Sequence, residues 1–148
     1  MLNRVFIDGS VLVKLFDDNS PIEQAAARNL IGDVDNATLV TSALSMADFY
    51  EEVTSRFSRK LERVTAKQAL NDLTELTVVQ LDSDLIMDAT ETQTISNIAM
   101  REAITIEAAI TSGCSYVVTE IFDQRQTIKG IQIVNLEEMM NIKKDGND

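Results

Sequence analysis

A chain of 148 residues, 45% apolar and 25% charged, is long enough to bury a core as one domain without staples. Its single cysteine excludes an internal disulfide, and no run approaches the roughly 20 apolar residues of a membrane span. The absence of histidine excludes His-dependent general-base catalysis, Ser-His and Cys-His triads and the usual zinc sites, and the net charge of −11 opposes broad phosphate binding.

The first apolar run, Arg4-Val-Phe-Ile7, reads as a strand that delivers Asp8 at its carboxyl end, where open α/β sheets place their chemistry. Ser20-Pro21-Ile22-Glu23 has the form of a capping box with proline at the first helical position, opening an alanine-rich helix that ends near Gly32. A second strand over 38–41 leads into a helix from Ser42 that carries Asp48 within its first two turns. Thr65 to Gln68 repeats the capping pattern before Ala69, Leu70 and Leu73. A third strand over 77–80 follows, then a helix capped by Ser83 that carries Leu85, Ile86 and Ala89. The last clear helix spans about 100–112, with Glu102 in its first turn and Gly113 as its stop. Strands over 116–119 and 131–134 close the pattern. Cys114, between Gly113 and an apolar run, reads as a buried structural thiol.

Strands alternating with helices predict a three-layer α/β/α domain around a mainly parallel sheet of about five strands. The domain should occupy residues 1–140, with a disordered tail over 141–148. Neither a signal peptide nor a span is evident, so a cytoplasmic location is expected.

The acids Asp8, Asp48 and Glu102 are candidates to converge at one sheet edge, where mutual repulsion would favour a divalent cation. Carboxylate oxygens suit Mg²⁺ or Mn²⁺, and a cation so held activates water for attack on a phosphodiester without histidine. Equally, each acid has a plain reading as an exposed or helix-capping group. Arg56, Arg59, Lys60, Arg63 and Lys67 fall within twelve residues, while 68–100 holds no Lys or Arg. This basic stretch is either a ridge for RNA phosphates or a solvated helix end. Arg101, beside Glu102, is a candidate salt-bridge partner for it or a phosphate contact.

In order and spacing these segments resemble the PIN-domain family, especially the single-domain VapC-like ribonuclease toxins. Phe6-Ile-Asp8-Gly-Ser10 is similar to the family's opening strand, first acid and small polar position. Ser42 to Val53 is similar to the second-acid helix, and Arg101-Glu102-Ala103 to the third. Gly113 to Glu120, then Ile128 to Asn135, resembles the end of the domain. Three positions depart from the pattern: Asp48 replaces glutamate, Glu102 replaces aspartate, and Ile121 stands where a fourth acid is expected.

The resemblance implies a Mg²⁺- or Mn²⁺-dependent endoribonuclease. Asp8, Asp48 and Glu102 would be catalytic and hold the metal with help from Asp123, and Ser10 would order a ligand or water. It also implies a homodimer and an antitoxin partner with a basic arm. The alternative is a catalytically impaired PIN scaffold kept to bind protein or RNA. A receiver-like phosphoacceptor is disfavoured, because no acidic pair ends the first strand.

Overall fold

The computed structural model describes residues 4–32, 39–122 and 126–146. Strands β1 (Arg4–Ile7), β2 (Leu39–Ser42), β3 (Thr77–Val79), β4 (Cys114–Val118), β5 (Thr127–Ile128) and β6 (Ile131–Val134) form one sheet in the order β3-β2-β1-β4-β6-β5. All neighbours are parallel except β5, which pairs antiparallel with β6. The two-residue β5 is the strand beyond the five expected. Lys129 and Gly130, at φ of 52° and 83°, form the tight turn between β5 and β6, with the left-handed backbone that two-residue hairpins require.

Helices α1 (Gly9–Leu12), α2 (Pro21–Ile31), α3 (Ala43–Glu51), α4 (Arg63–Leu73) and α7 (Leu136–Gly146) cover one face of the sheet. Helices α5 (Ser83–Ser96) and α6 (Met100–Thr111) cover the other. Strand alternation explains the two cores. Val5, Ile7, Leu39, Val118 and Val134 point to the first face, whereas Phe6, Val40, Val117 and Ile133 point to the second. Because both faces are covered, the central strands β1, β2, β4 and β6 are mostly apolar on both faces, as parallel strands buried on two sides tend to be.

Local details depart from the expected caps. Ser20 makes no side-chain cap bond, and Glu23 Oε2 instead pairs with Lys14 Nζ at 2.5 Å. Helix α4 begins at Arg63, so Thr65 lies inside it, and Asp82 rather than Ser83 caps α5 by accepting from the Leu85 N–H at 2.9 Å. Helix α7 continues past Met140 through Gly146, across most of the segment expected to be disordered. Leu136 and Met139 are buried, Met140 and Ile142 pack on the same core, and Glu137 and Lys143 suit the two ends of the helix dipole. Strand β2 begins at Leu39; position 38, expected as its start, lies outside the described residues. Cys114 is buried, and burial pushes its thiol up to about 11, so it is inert. Among the described residues, no helix is long and apolar enough to cross a membrane.

Candidate active site

The winding of the sheet reverses beside β1: β2 and β3 build outward on one side, β4 and β6 on the other. Ligand crevices in open parallel sheets open at the carboxyl ends of the strands flanking such a point. Here those ends are Asp8, after β1, and Thr119, after β4. The Asp8 N–H donates to Val118 O at 3.0 Å, which holds the two ends level. The buried Asp8 carboxylate is then fixed through Oδ2, which accepts from Ser10 Oγ at 2.6 Å, Thr119 Oγ1 at 3.0 Å and the Ser10 N–H at 3.3 Å. Ser10 Oγ in turn accepts the Glu120 N–H at 3.0 Å, tying the loop after β4 to the start of α1.

Asp48 reaches the same edge from α3. The close approach of α1 to α3 depends on Gly9: a Cβ there would lie 2.9 Å from the Ser45 carbonyl oxygen and 3.1 Å from Asp48 Cβ. A pocket of about 680 Å³ opens between these elements. Five carboxylates line it (Asp8, Asp48, Glu51, Glu52 and Glu120) against three cations (Lys14, Arg56 and Arg101), which leaves two surplus negative charges. Burial raises the pKa of Asp48 above the ordinary aspartate value, the Arg101 guanidinium opposes the rise, and the nearby Asp8 adds to it. Burial likewise raises Glu120, against the opposing Leu136 N–H bond. For Lys14, burial lowers the pKa, but the bond to Glu23 and the charges of Glu23, Asp17 and Glu120 outweigh it and the net shift is upward.

Glu102 does not line this pocket. It occupies the third position of α6, and its Oε1 turns back to accept the Ala99 N–H at 2.9 Å, capping its own helix. The neighbouring Arg101 faces the pocket instead and pairs with Asp48, not with Glu102. Ile121 sits on the rim, 71% exposed, where the family pattern has an acid. Asp123 lies outside the described residues. Within the basic stretch, Arg56 lines the pocket, and Arg59 and Lys60 line an adjoining cleft. Arg63 and Lys67 lie on α4, away from both.

Two participants escape sequence reading. Thr119 bonds Asp8 from 111 positions away, which no local pattern signals. Glu107, inside the α6 segment, is buried and holds Lys129 Nζ at 3.1 Å and Thr92 Oγ1 at 2.9 Å. That cluster ties α5, α6 and the β5–β6 turn together on the far face of the sheet.

Among the described residues, no three carboxylates stand together as a ready metal cage. A full protein cage is not what Mg²⁺ requires. It is commonly held by one or two carboxylates, several waters and substrate phosphate oxygens. Asp8 and Asp48, hard oxygen donors facing a pocket with surplus negative charge, fit that smaller role, with Arg101 competing for Asp48.

Known structures share this architecture. VapC20 from Mycobacterium tuberculosis, a Sarcin-Ricin loop cleaving toxin, superposes with a TM-score of 0.61 at 17% identity, covering 80% of this chain and 89% of that one. A toxin-antitoxin complex from Klebsiella pneumoniae gives 0.66 at 12% identity, covering 89% and 97%. FitAB bound to an IR36 DNA fragment gives 0.65 at 13%, covering 89% and 94%. At such identities these likenesses speak for the fold alone. No curated protein sequence matches the chain. The PIN domain model, however, matches residues 5–130, from β1 to the β5–β6 turn and so across the whole of the pocket, and the chain belongs to the PIN domain family.

Proposed function

We propose that this chain is a VapC-like endoribonuclease that hydrolyses RNA phosphodiesters with the help of Mg²⁺ or Mn²⁺. The observation that carries the reading is the meeting of Asp8 and Asp48 in one surplus-negative pocket at the switch point of the sheet. A divalent cation bound there supplies an activated water and polarises the phosphate. Asp8 and Asp48 would hold it, with Asp8 kept in place by Ser10 and Thr119. Arg101 and Arg56, on the pocket wall, orient the phosphate and balance the charge that develops on it. Glu102 joins the set only by giving up the Ala99 N–H, so the protein alone binds metal weakly and the bound RNA completes the site.

The family resemblance, and a toxin and a toxin-antitoxin complex among the similar structures, support a toxin role with an antitoxin partner. The acidic pocket suits a basic arm from that partner, which would neutralise the same carboxylates and block them. A homodimer belongs to the same reading.

A second reading, a PIN scaffold that binds RNA without cutting it, is favoured by Ile121 on the rim and by the Arg101–Asp48 pair. One experiment separates the two. A structured RNA is incubated with the chain and with Asp8→Asn over a range of Mn²⁺ and Mg²⁺ concentrations. Metal-dependent cleavage lost in Asp8→Asn upholds the nuclease. RNA retained uncut at every metal concentration upholds the binder.

A further inference from the structure

Beside the carboxylate pocket lies a second cleft of about 560 Å³, and the two share Glu52 and Arg56. The boundary between them is the π-helical turn Glu52–Arg56, which extends α3 and swings Arg56 across both openings. Such turns are rare and concentrate at functional sites. The floor of the second cleft is apolar: Phe16, Phe57 and Leu61 pack on the core beneath it and leave part of their surface open. Its walls are opposed in charge. One is the loop carrying Asp17 and Asp18, the other carries the exposed Arg59 and Lys60, which form no ion pair among the described residues. Asn19 Nδ2 donates to Ser58 Oγ at 3.3 Å, a bond between the two walls.

We infer that this cleft is a nucleotide subsite that takes one unstacked base of an RNA strand crossing the carboxylate pocket, and that it prefers bases bearing an exocyclic amino group. The volume admits a nucleotide-sized ligand. An aromatic floor beside cationic groups is the general way proteins hold single-stranded nucleic acid, with the base on the ring and the phosphate on the cation. The opposed walls fix the orientation. Glu52 Oε2 pairs with Arg56 at 3.6 Å at the boundary. A phosphate is therefore drawn to Arg59 and Lys60, unpaired among the described residues, and repelled by Asp17 and Asp18, and the base edge faces those two acids. Carboxylates there accept hydrogen bonds from an amino group and repel a carbonyl oxygen. Cytosine and uracil are nearly the same size and differ at this edge, so the acids favour cytosine.

This inference rests on the reading that the chain binds RNA, and the test separates the two. Fluorescently labelled ten-nucleotide oligo(C) and oligo(U) are titrated with the chain and with Asp17→Asn/Asp18→Asn, in EDTA and again in Mg²⁺. Oligo(C) should bind about tenfold more tightly than oligo(U), one acceptor's worth of discrimination. In the double variant the ratio should collapse towards one. These acids are on the surface, and each uses one oxygen only for a local bond, to the Asn19 N–H and to Gln24 Nε2, so the fold is retained. Phe57→Leu, which keeps an apolar side chain on the core, should weaken both oligonucleotides by removing the ring. Binding of both that is indifferent to base and to all three substitutions overturns the subsite while leaving the RNA reading standing. Binding of neither in either buffer overturns both.

Discussion

The Arg101 guanidinium is paired with the Asp48 carboxylate across the gap between α6 and α3, inside the pocket that also holds Asp8. The protein thus supplies its own cation at a place where the family resemblance calls for a metal. The pair is half in water, with side chains 61% and 40% exposed, so its worth to stability is only about 0.2–1 kcal/mol. Its effect on the pocket is larger than its effect on the fold. Arg101→Ala should leave the urea midpoint nearly unchanged and tighten Mn²⁺ binding about fivefold, the equivalent of about 1 kcal/mol of relieved competition in a solvated site. Calorimetric titration of both proteins checks this. Equal affinities would show that Asp48 is not a ligand.

Gly9 governs whether Asp8 and Asp48 can share a pocket. The obstacle to a Cβ there is a backbone carbonyl, that of Ser45, which has no rotamer into which to retreat. Gly9→Ala must therefore push α1 from α3, at a cost of about 1–3 kcal/mol for overpacking. The expected result is a lower urea midpoint together with a parallel loss of Mn²⁺ binding. An unchanged midpoint would mean that the helices separate freely.

Much of the architecture was legible because its signals are local. Five strands announce themselves as short β-branched runs, and Asp8 follows from its place after the first of them. The end of the chain was not: its polar last residues suggest disorder, although Leu136, Met139 and Met140 recur at helical spacing ahead of Lys143 and Lys144 and the segment is the helix α7. The site was less legible, because its decisive facts are rotations and long-range contacts. One step along a helix turns a side chain by about 100°, so Arg101 and Glu102 point to different places although they are neighbours. Glutamate at the third position of a helix is a known back-capping signature, but the Ala99 that precedes α6 lacks the hydroxyl that usually completes the motif. The π turn at Glu52–Arg56 has no sequence mark at all.

Glu120 links the pocket to pH. Burial raises its folded pKa above the ordinary 4.5. A carboxyl group raised in this way stabilises the fold while protonated, and that contribution is fully present below pH 4.5. It is lost as pH climbs through the higher folded value. Glu120→Gln removes this dependence. The melting temperature of the variant relative to the parent should therefore rise as pH is taken from 4 to 7. Comparing the two proteins cancels the background that a net charge of −11 imposes on both. A constant difference across the range would mean that the Leu136 N–H bond, which favours the ionised form, offsets burial entirely.

Ile121 offers the most direct manipulation of the chemistry. It lies on the rim of the pocket with 71% of its surface exposed, and its N–H donates to Thr119 Oγ1 at 3.3 Å, one bond removed from Asp8. An exposed apolar side chain contributes little to the fold, so Ile121→Asp should shift stability by about 0.5 kcal/mol or less. It adds a sixth carboxylate to a pocket already carrying surplus negative charge, which raises the pull on a divalent cation from the rim. Metal affinity and the rate of RNA cleavage should both rise by about tenfold or more, the scale on which groups around a metal site act. Asp8→Asn in the same background should abolish the gain. A higher affinity with no cleavage would place the defect in Glu102, still held on the Ala99 N–H. Adding Glu102→Asp, whose shorter side chain reaches the Ala99 N–H less easily, should then release a carboxylate for the pocket. If the combined variant binds Mn²⁺ and still leaves RNA intact, the pocket is a binding surface and the endoribonuclease reading falls.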